Sequence, residues 1–185
     1  MSDELARGDI LAAAPLMDVD LRQRSWFIKS FYKVWLQLPY CRTGMIGSGV
    51  YALNDAGRRR FDQFPEITSD DGYVRLLFHT RERKTLESCT FTIRPPKTIA
   101  GLIAIKTRAH FGNLELQVTY PKMQEKEQSD HASALKQMIG HPTSWPALGV
   151  YMSVRVISRL KANWRFRFGD HQKWERDDTG RELAD

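Results

Sequence analysis

The chain has 185 residues, 42% hydrophobic and 27% charged, enough for one domain with a real core and short for two. Its formal net charge of +6 and pI near 9.4 favour acidic partners such as phosphates and anionic lipid heads. Cys41 and Cys89 lie far apart without metal-ligand spacing, which excludes a disulfide framework and points to a reducing compartment. The N-terminal "MSDELARGDILAAAP" is acidic and its apolar run is too short for a secretion signal, and no window approaches the roughly eighteen apolar residues of a spanning helix. A cytoplasmic protein, free or peripheral on the inner membrane face, is expected.

In chain order, "DELARGDILAAAP" predicts a short helix or helix end running into an apolar stretch that Pro15 interrupts. "LMDVDL" alternates apolar and acidic residues as a short strand does. "LRQRSWFIKSFYKVWLQL" places Trp26, Phe27, Ser30, Phe31, Val34, Trp35 and Leu38 at helical spacing, with a stop at Pro39. Gly44, Gly47 and Gly49 make a permissive loop before the strand "GVYALN". "DAGRRRFDQF" predicts a short basic helix capped by Asn54 or Asp55. A loop, "PEITSDD", leads into the helix "DGYVRLLFHT". "ESCTFTIRPP" is a strand closed by Pro95 and Pro96, and "KTIAGLIAIKTRAHFGNLEL" a long helix with a weak point at Gly101. After Pro121, "KMQEKEQSDHASALKQMIG" is polar and then helical. "SWPALGVYMSVRVISRLKANWRFRF" is a basic amphipathic helix with a break near Gly149, and the charged tail carries Trp174 as an anchor. There is no internal repeat.

Four constellations carry possible chemistry. The adjacent Asp70 and Asp71 open a helix. Ser69 or Asp70 can cap its N–H groups, and a carboxylate aimed there can also serve as a general base. Two neighbouring carboxylates repel, so a proton taken up by one relieves the other. The loop "GMIGSG" lacks the lysine and hydroxyl of a phosphate cradle, and its glycines precede a strand, so it reads as a tight turn, plain or beside a ligand. "DVD" at Asp18–Asp20 offers two carboxylates on one strand face, too few for a metal site, and His79, His110, His131, His141 and His171 are scattered. Arg155, Arg159, Lys161, Arg165 and Arg167 among Val154, Ile157, Leu160, Trp164 and Phe168 give a solvated basic face or a contact for an anionic surface. No recognition motif accompanies this charge, so nucleic acid is not an expected partner.

Taken together, "GMIGSGVYALNDAGRRRFDQFPEITSDDGYVRLLF" resembles the second half of a glycosyltransferase family 2 domain of the inverting GT-A type. The order is glycine loop, strand with an aromatic, short helix ending in Arg/Phe, "FP", acid pair, helix. The resemblance is strongest from Gly44 to Phe78 and extends back to "AAAP" and on through "RPPKTIAGLIAIKTRAHFGNLEL". It implies an α/β fold, a partial GT-A-like mixed sheet flanked by helices. Residues 1–120 would form the acceptor-side part and 121–185 a mostly helical, basic C-terminal extension.

The resemblance also implies roles. Asp71, or Asp70, would deprotonate the acceptor hydroxyl. Gly47, Ser48 and Gly49 would lie under the donor sugar, and Arg108 would help hold the diphosphate, although no Gln-x-x-Arg-Trp motif is present. The expected partners are a nucleotide-sugar donor, a carbohydrate or lipid-linked acceptor and a divalent cation (Mg or Mn). The metal motif and the nucleotide-binding segment are not found here, so a missing N-terminal half would supply them. That absence should leave an exposed sheet edge and apolar surface. The alternative is a non-catalytic basic adaptor docking on an anionic membrane surface or a partner protein through the helices after Pro121.

Overall fold

The computed structural model describes residues 2–6, 8–41, 49–124, 135–136 and 138–169. It is an α/β structure: a three-stranded mixed sheet with helices packed on it. The central strand β1 (Ala12–Val19) pairs antiparallel with β2 (Ala52–Leu53) and parallel with β3 (Arg83–Ile93). Among the described residues β3 therefore forms one edge and the two-residue β2 the other.

Pro15 does not interrupt β1. The register jumps there, from Pro15 opposite Leu86 to Leu16 opposite Thr90, so Glu87, Ser88 and Cys89 bulge out of the ladder. A proline has no N–H to give, and a bulge is where a central strand can carry one. The run of Ala12, Ala13 and Ala14 is fully buried. Such small side chains let helices approach both faces of the strand. Ala12 and Ala14 meet Phe61, Val74 and Phe78, while Ala13 meets Leu5 and Leu86. Leu5 belongs to α1 (Ser2–Ala6).

Beyond β1 comes α2 (Trp26–Trp35), capped by the Ser25 side chain, which accepts from the Ile28 N–H. The helix buries Ile28, Phe31, Val34 and Trp35 but leaves Trp26 and Phe27 half-exposed in its first turn. The short α3 (Asp55–Arg58) is capped by Asn54, whose oxygen accepts from the Gly57 N–H at 2.8 Å. The Asn54 amide also donates to the Ile10 carbonyl at 3.1 Å, tying the cap to the chain entering β1. α4 spans Asp70–Leu77 and α5 spans Ile99–Thr119 without interruption. Thr98 accepts from the Gly101 N–H at 3.0 Å, so Gly101 lies inside a capped first turn and is no weak point.

After α6 (Pro121–Gln124), the chain ends its described part in α7 (Trp145–Phe168), a continuous 24-residue helix. The expected break at Gly149 is absent: Ser153 Oγ donates to the Gly149 carbonyl at 2.9 Å within the turn. α7 packs on α5 and α2. Its Ala147, Tyr151 and Val154 share one core with Met17, Ile28, Phe31 and Leu102. In that core the Lys106 ammonium stands 4.0 Å from the Trp35 ring centre and 5.3 Å from that of Phe31. Burial, helped by Arg155 and opposed by Cys41, pushes Lys106 down to about 8.

Candidate functional site

The acid pair is built on the contact between α4 and α5. Gly112 of α5 is buried against Ser69, and a Cβ placed there would meet Ser69 Cβ at 2.7 Å and its backbone N at 3.1 Å. Only glycine lets the two chains come this close. One turn later on α5, Glu115 Oε2 accepts the Thr68 N–H at 2.8 Å. The two residues ahead of the acids are thus seated on α5, and α4 starts from a fixed point.

From that start both acids turn back on their own helix. Asp70 Oδ1 accepts the Asp71 N–H at 2.8 Å, and Asp71 Oδ1 accepts the Gly72 N–H at 2.7 Å. The Ser69 hydroxyl lies 3.3 Å from the same Asp71 oxygen and donates to it. Ser69 makes no side-chain cap, so the first-turn N–H groups are held by the acids. Among the described residues all of these bonds fall on Oδ1. Each Oδ2 is therefore left for other work. Asp70 is exposed and Asp71 half-buried, so Asp71 is the better anchored carboxylate and the one on the protein side.

Tyr51 joins this corner from the other direction. Burial, and after it the charges of Asp70 and Asp71, push its phenol up. The residue just ahead of β2 therefore stands within electrostatic reach of both acids. Gly49, two residues earlier, has φ of 76°, a left-handed backbone that favours glycine. Gly47 and Ser48 lie outside the described residues, as do Trp174 and the charged tail. Arg108 lies on α5 one turn before Gly112, so helical spacing puts it on the side of α5 that carries Ser69.

Next to the acids opens a hollow of about 250 Å³ between α4, α5 and α7. It begins at Gly72, and Arg75, His110, Asn113, Arg155 and Arg159 line it. Burial and then the charges of Arg159 and Arg155 push His110 down, opposed by its hydrogen bond with Asn163. Arg155 and Arg159 sit one turn apart on α7 and reach the same wall. Sequence reasoning placed them on a solvated or membrane-facing side; Arg159 is indeed exposed and Arg155 half-buried, and both also line this cleft. Their spacing of four, on a helix with no acid of its own, was the available signal. Tyr51 was read only as the aromatic of a strand.

The "DVD" acids do not form a cation site. Arg22 grips Asp20 with two hydrogen bonds of 3.0 Å, to Oδ1 and Oδ2, and holds its carboxyl at about 2. Asp18 receives the Thr92 hydroxyl at 3.4 Å. Among the described residues no three His, Cys, Asp or Glu side chains gather as metal ligands.

No family model, no curated protein and no solved structure matches the chain.

Proposed function

We propose that this chain is the acceptor-side part of an inverting glycosyltransferase of the family 2 type, with Asp71 as the base. The observation that carries the reading is the seating of the acid pair: Glu115 of α5 holds the Thr68 N–H, Gly112 admits Ser69, and the Ser69 hydroxyl and Gly72 N–H fix Asp71 Oδ1.

In this reading Asp71 Oδ1 is spent on the Gly72 N–H and the Ser69 hydroxyl, which aim the carboxylate. Its other oxygen takes the proton from the acceptor hydroxyl. As the acceptor oxygen bonds to the anomeric carbon, the bond from that carbon to the nucleoside diphosphate breaks with its electron pair, and configuration inverts. The charge of Arg75, Arg155 and Arg159 in the adjoining hollow suits a phosphorylated or otherwise anionic substrate portion. No step is assigned to a cation.

The test is sugar transfer from nucleotide sugars by the polypeptide joined in frame to the sequence encoded directly upstream of Met1. Asp71→Asn should lower kcat by about 10²- to 10⁴-fold with unchanged circular dichroism, and Asp70→Asn should cost much less. Full activity in Asp71→Asn removes the base assignment. Absence of turnover with every nucleotide sugar tried removes the transferase.

A further inference from the structure

α7 has two apolar faces, and among the described residues only one packs on the core. Towards the core it turns Ala147, Tyr151, Val154, Ser158 and Ala162. On the opposite side Met152, Val156, Leu160 and Trp164 follow one another at intervals of four, with Trp145 and Phe168 at the two ends. All six are exposed, Leu160 at 64%, Trp164 at 66% and Phe168 at 74%. Scattered apolar residues on a surface need no explanation, but a continuous stripe along six turns does.

The charges around the stripe say what covers it. α7 carries Arg155, Arg159, Lys161, Arg165 and Arg167 and no acidic residue. At 100° per residue, Arg159 borders the stripe on one side and Lys161 on the other, and Arg167 lies within its C-terminal end. Arg159, Lys161 and Arg167 are all exposed. A second copy of α7 laid on this face would bring positive charge against positive charge. Among the described residues no helix is long and apolar enough to cross a membrane. An apolar strip with aromatic ends and cationic borders, on a helix too charged to span, has the character of a helix lying in a bilayer interface.

We infer that the outer face of α7 docks the protein on an anionic phospholipid surface. The stripe enters the headgroup–acyl boundary, and Lys161 and Arg167 meet lipid phosphates. This inference does not rest on the transferase reading, and the residues that test it lie outside the acid corner and the arginine-lined hollow.

The experiment is sedimentation of the full chain with phosphatidylcholine vesicles, with and without phosphatidylglycerol, monitored also by tryptophan fluorescence. Binding is expected only with phosphatidylglycerol, with a blue shift and with loss of binding as salt rises. The double variant Leu160→Ser/Trp164→Ser should lower partitioning at least on the order of tenfold. Lys161→Gln and Arg167→Gln should each lower it roughly fivefold. Should the double variant lose helicity, Met152→Ser/Val156→Ser provides the same reading from the neighbouring turns. No binding to anionic vesicles, equal binding to neutral ones, or binding untouched by the apolar substitutions would overturn the inference. So would a concentration-dependent dimer, abolished by Leu160→Ser/Trp164→Ser, in a protein that ignores vesicles.

Discussion

The acid corner and the outer face of α7 were built by opposite uses of side-chain size. At the corner, a missing side chain at Gly112 lets Ser69 settle on α5, and two carboxylates then take fixed positions. On α7, small residues again mark the close approach: Ala147, Ser158 and Ala162 face the core, with Ser158 Oγ donating to the Ile103 carbonyl at 3.4 Å. The core takes in Tyr151, but Trp145, Trp164 and Phe168 of the same helix are left outside. Hydrophobic content alone therefore says little about which face of a helix is inside. What decides it is how near the neighbouring backbone must come.

The comparison makes Gly112 the most consequential small residue. Gly112→Val puts branched bulk where Ser69 Cβ now sits, and Ser69 is the residue before the acids. Overpacking of this kind costs about 1–3 kcal/mol of folding stability. A shift of the acid pair on the order of 1 Å should also cost roughly 10²-fold in transfer. Urea denaturation and the transfer assay measure the two. Unchanged transfer in a folded Gly112→Val protein would mean that the seat on α5 does not aim Asp71.

Much of the framework was legible from local chemistry. Asn54 and the acid pair each marked a helix start, because capping is a matter of a few neighbouring residues. Pro15 and Gly149 misled for the same reason: their local preferences were overridden by partners far along the chain. The bulge at Pro15 depends on β3, some seventy residues later, and Gly149 stays helical within a helix docked on α5 and α2. The acids were visible as a candidate site, but Tyr51 and the cleft of Arg75, His110, Arg155 and Arg159 were not. The spacing of four paired Arg155 with Arg159, but that Arg75 and His110 face them is a property of the packing, which brings distant segments together.

The far end of α4 tests whether the corner depends on charge in a way that α7 cannot. Arg60 donates to the Leu77 carbonyl at 3.1 Å and to both oxygens of Glu82, at 2.9 and 2.6 Å. Glu82 also accepts the His79 N–H at 2.8 Å. These bonds, the Arg60 one first, hold the Glu82 carboxyl at about 2, against its ordinary 4.5. A carboxylate held down in the folded state stabilises it above the unfolded value. That contribution drains away as pH falls from about 4.5 through about 2. Both partners are partly exposed, so Glu82→Gln should cost only about 0.5–1 kcal/mol at neutral pH. The difference between the two proteins should vanish near the bottom of that window, as acid denaturation curves would show. A difference that persists at the lowest pH would mean that packing, and not the ion pair, fixes this end of α4. α7 has no carboxylate of its own to titrate.

Leu160→Ser is the smallest of these effects on stability and the sharpest contrast with Gly112. The side chain is 64% exposed and belongs to no core cluster. Removing it should move the urea midpoint by no more than about 0.5 kcal/mol in either direction. Exposed apolar surface already faces water in the folded chain, so little transfer free energy is lost on truncation. A loss of 2 kcal/mol or so, the size expected for a buried leucine, would mean that the face is covered within the protein itself. In that case the stripe belongs to the core and is not a docking surface. Near-zero cost leaves a large apolar residue that folding does not use. Gly112, with no side chain at all, is one on which folding depends.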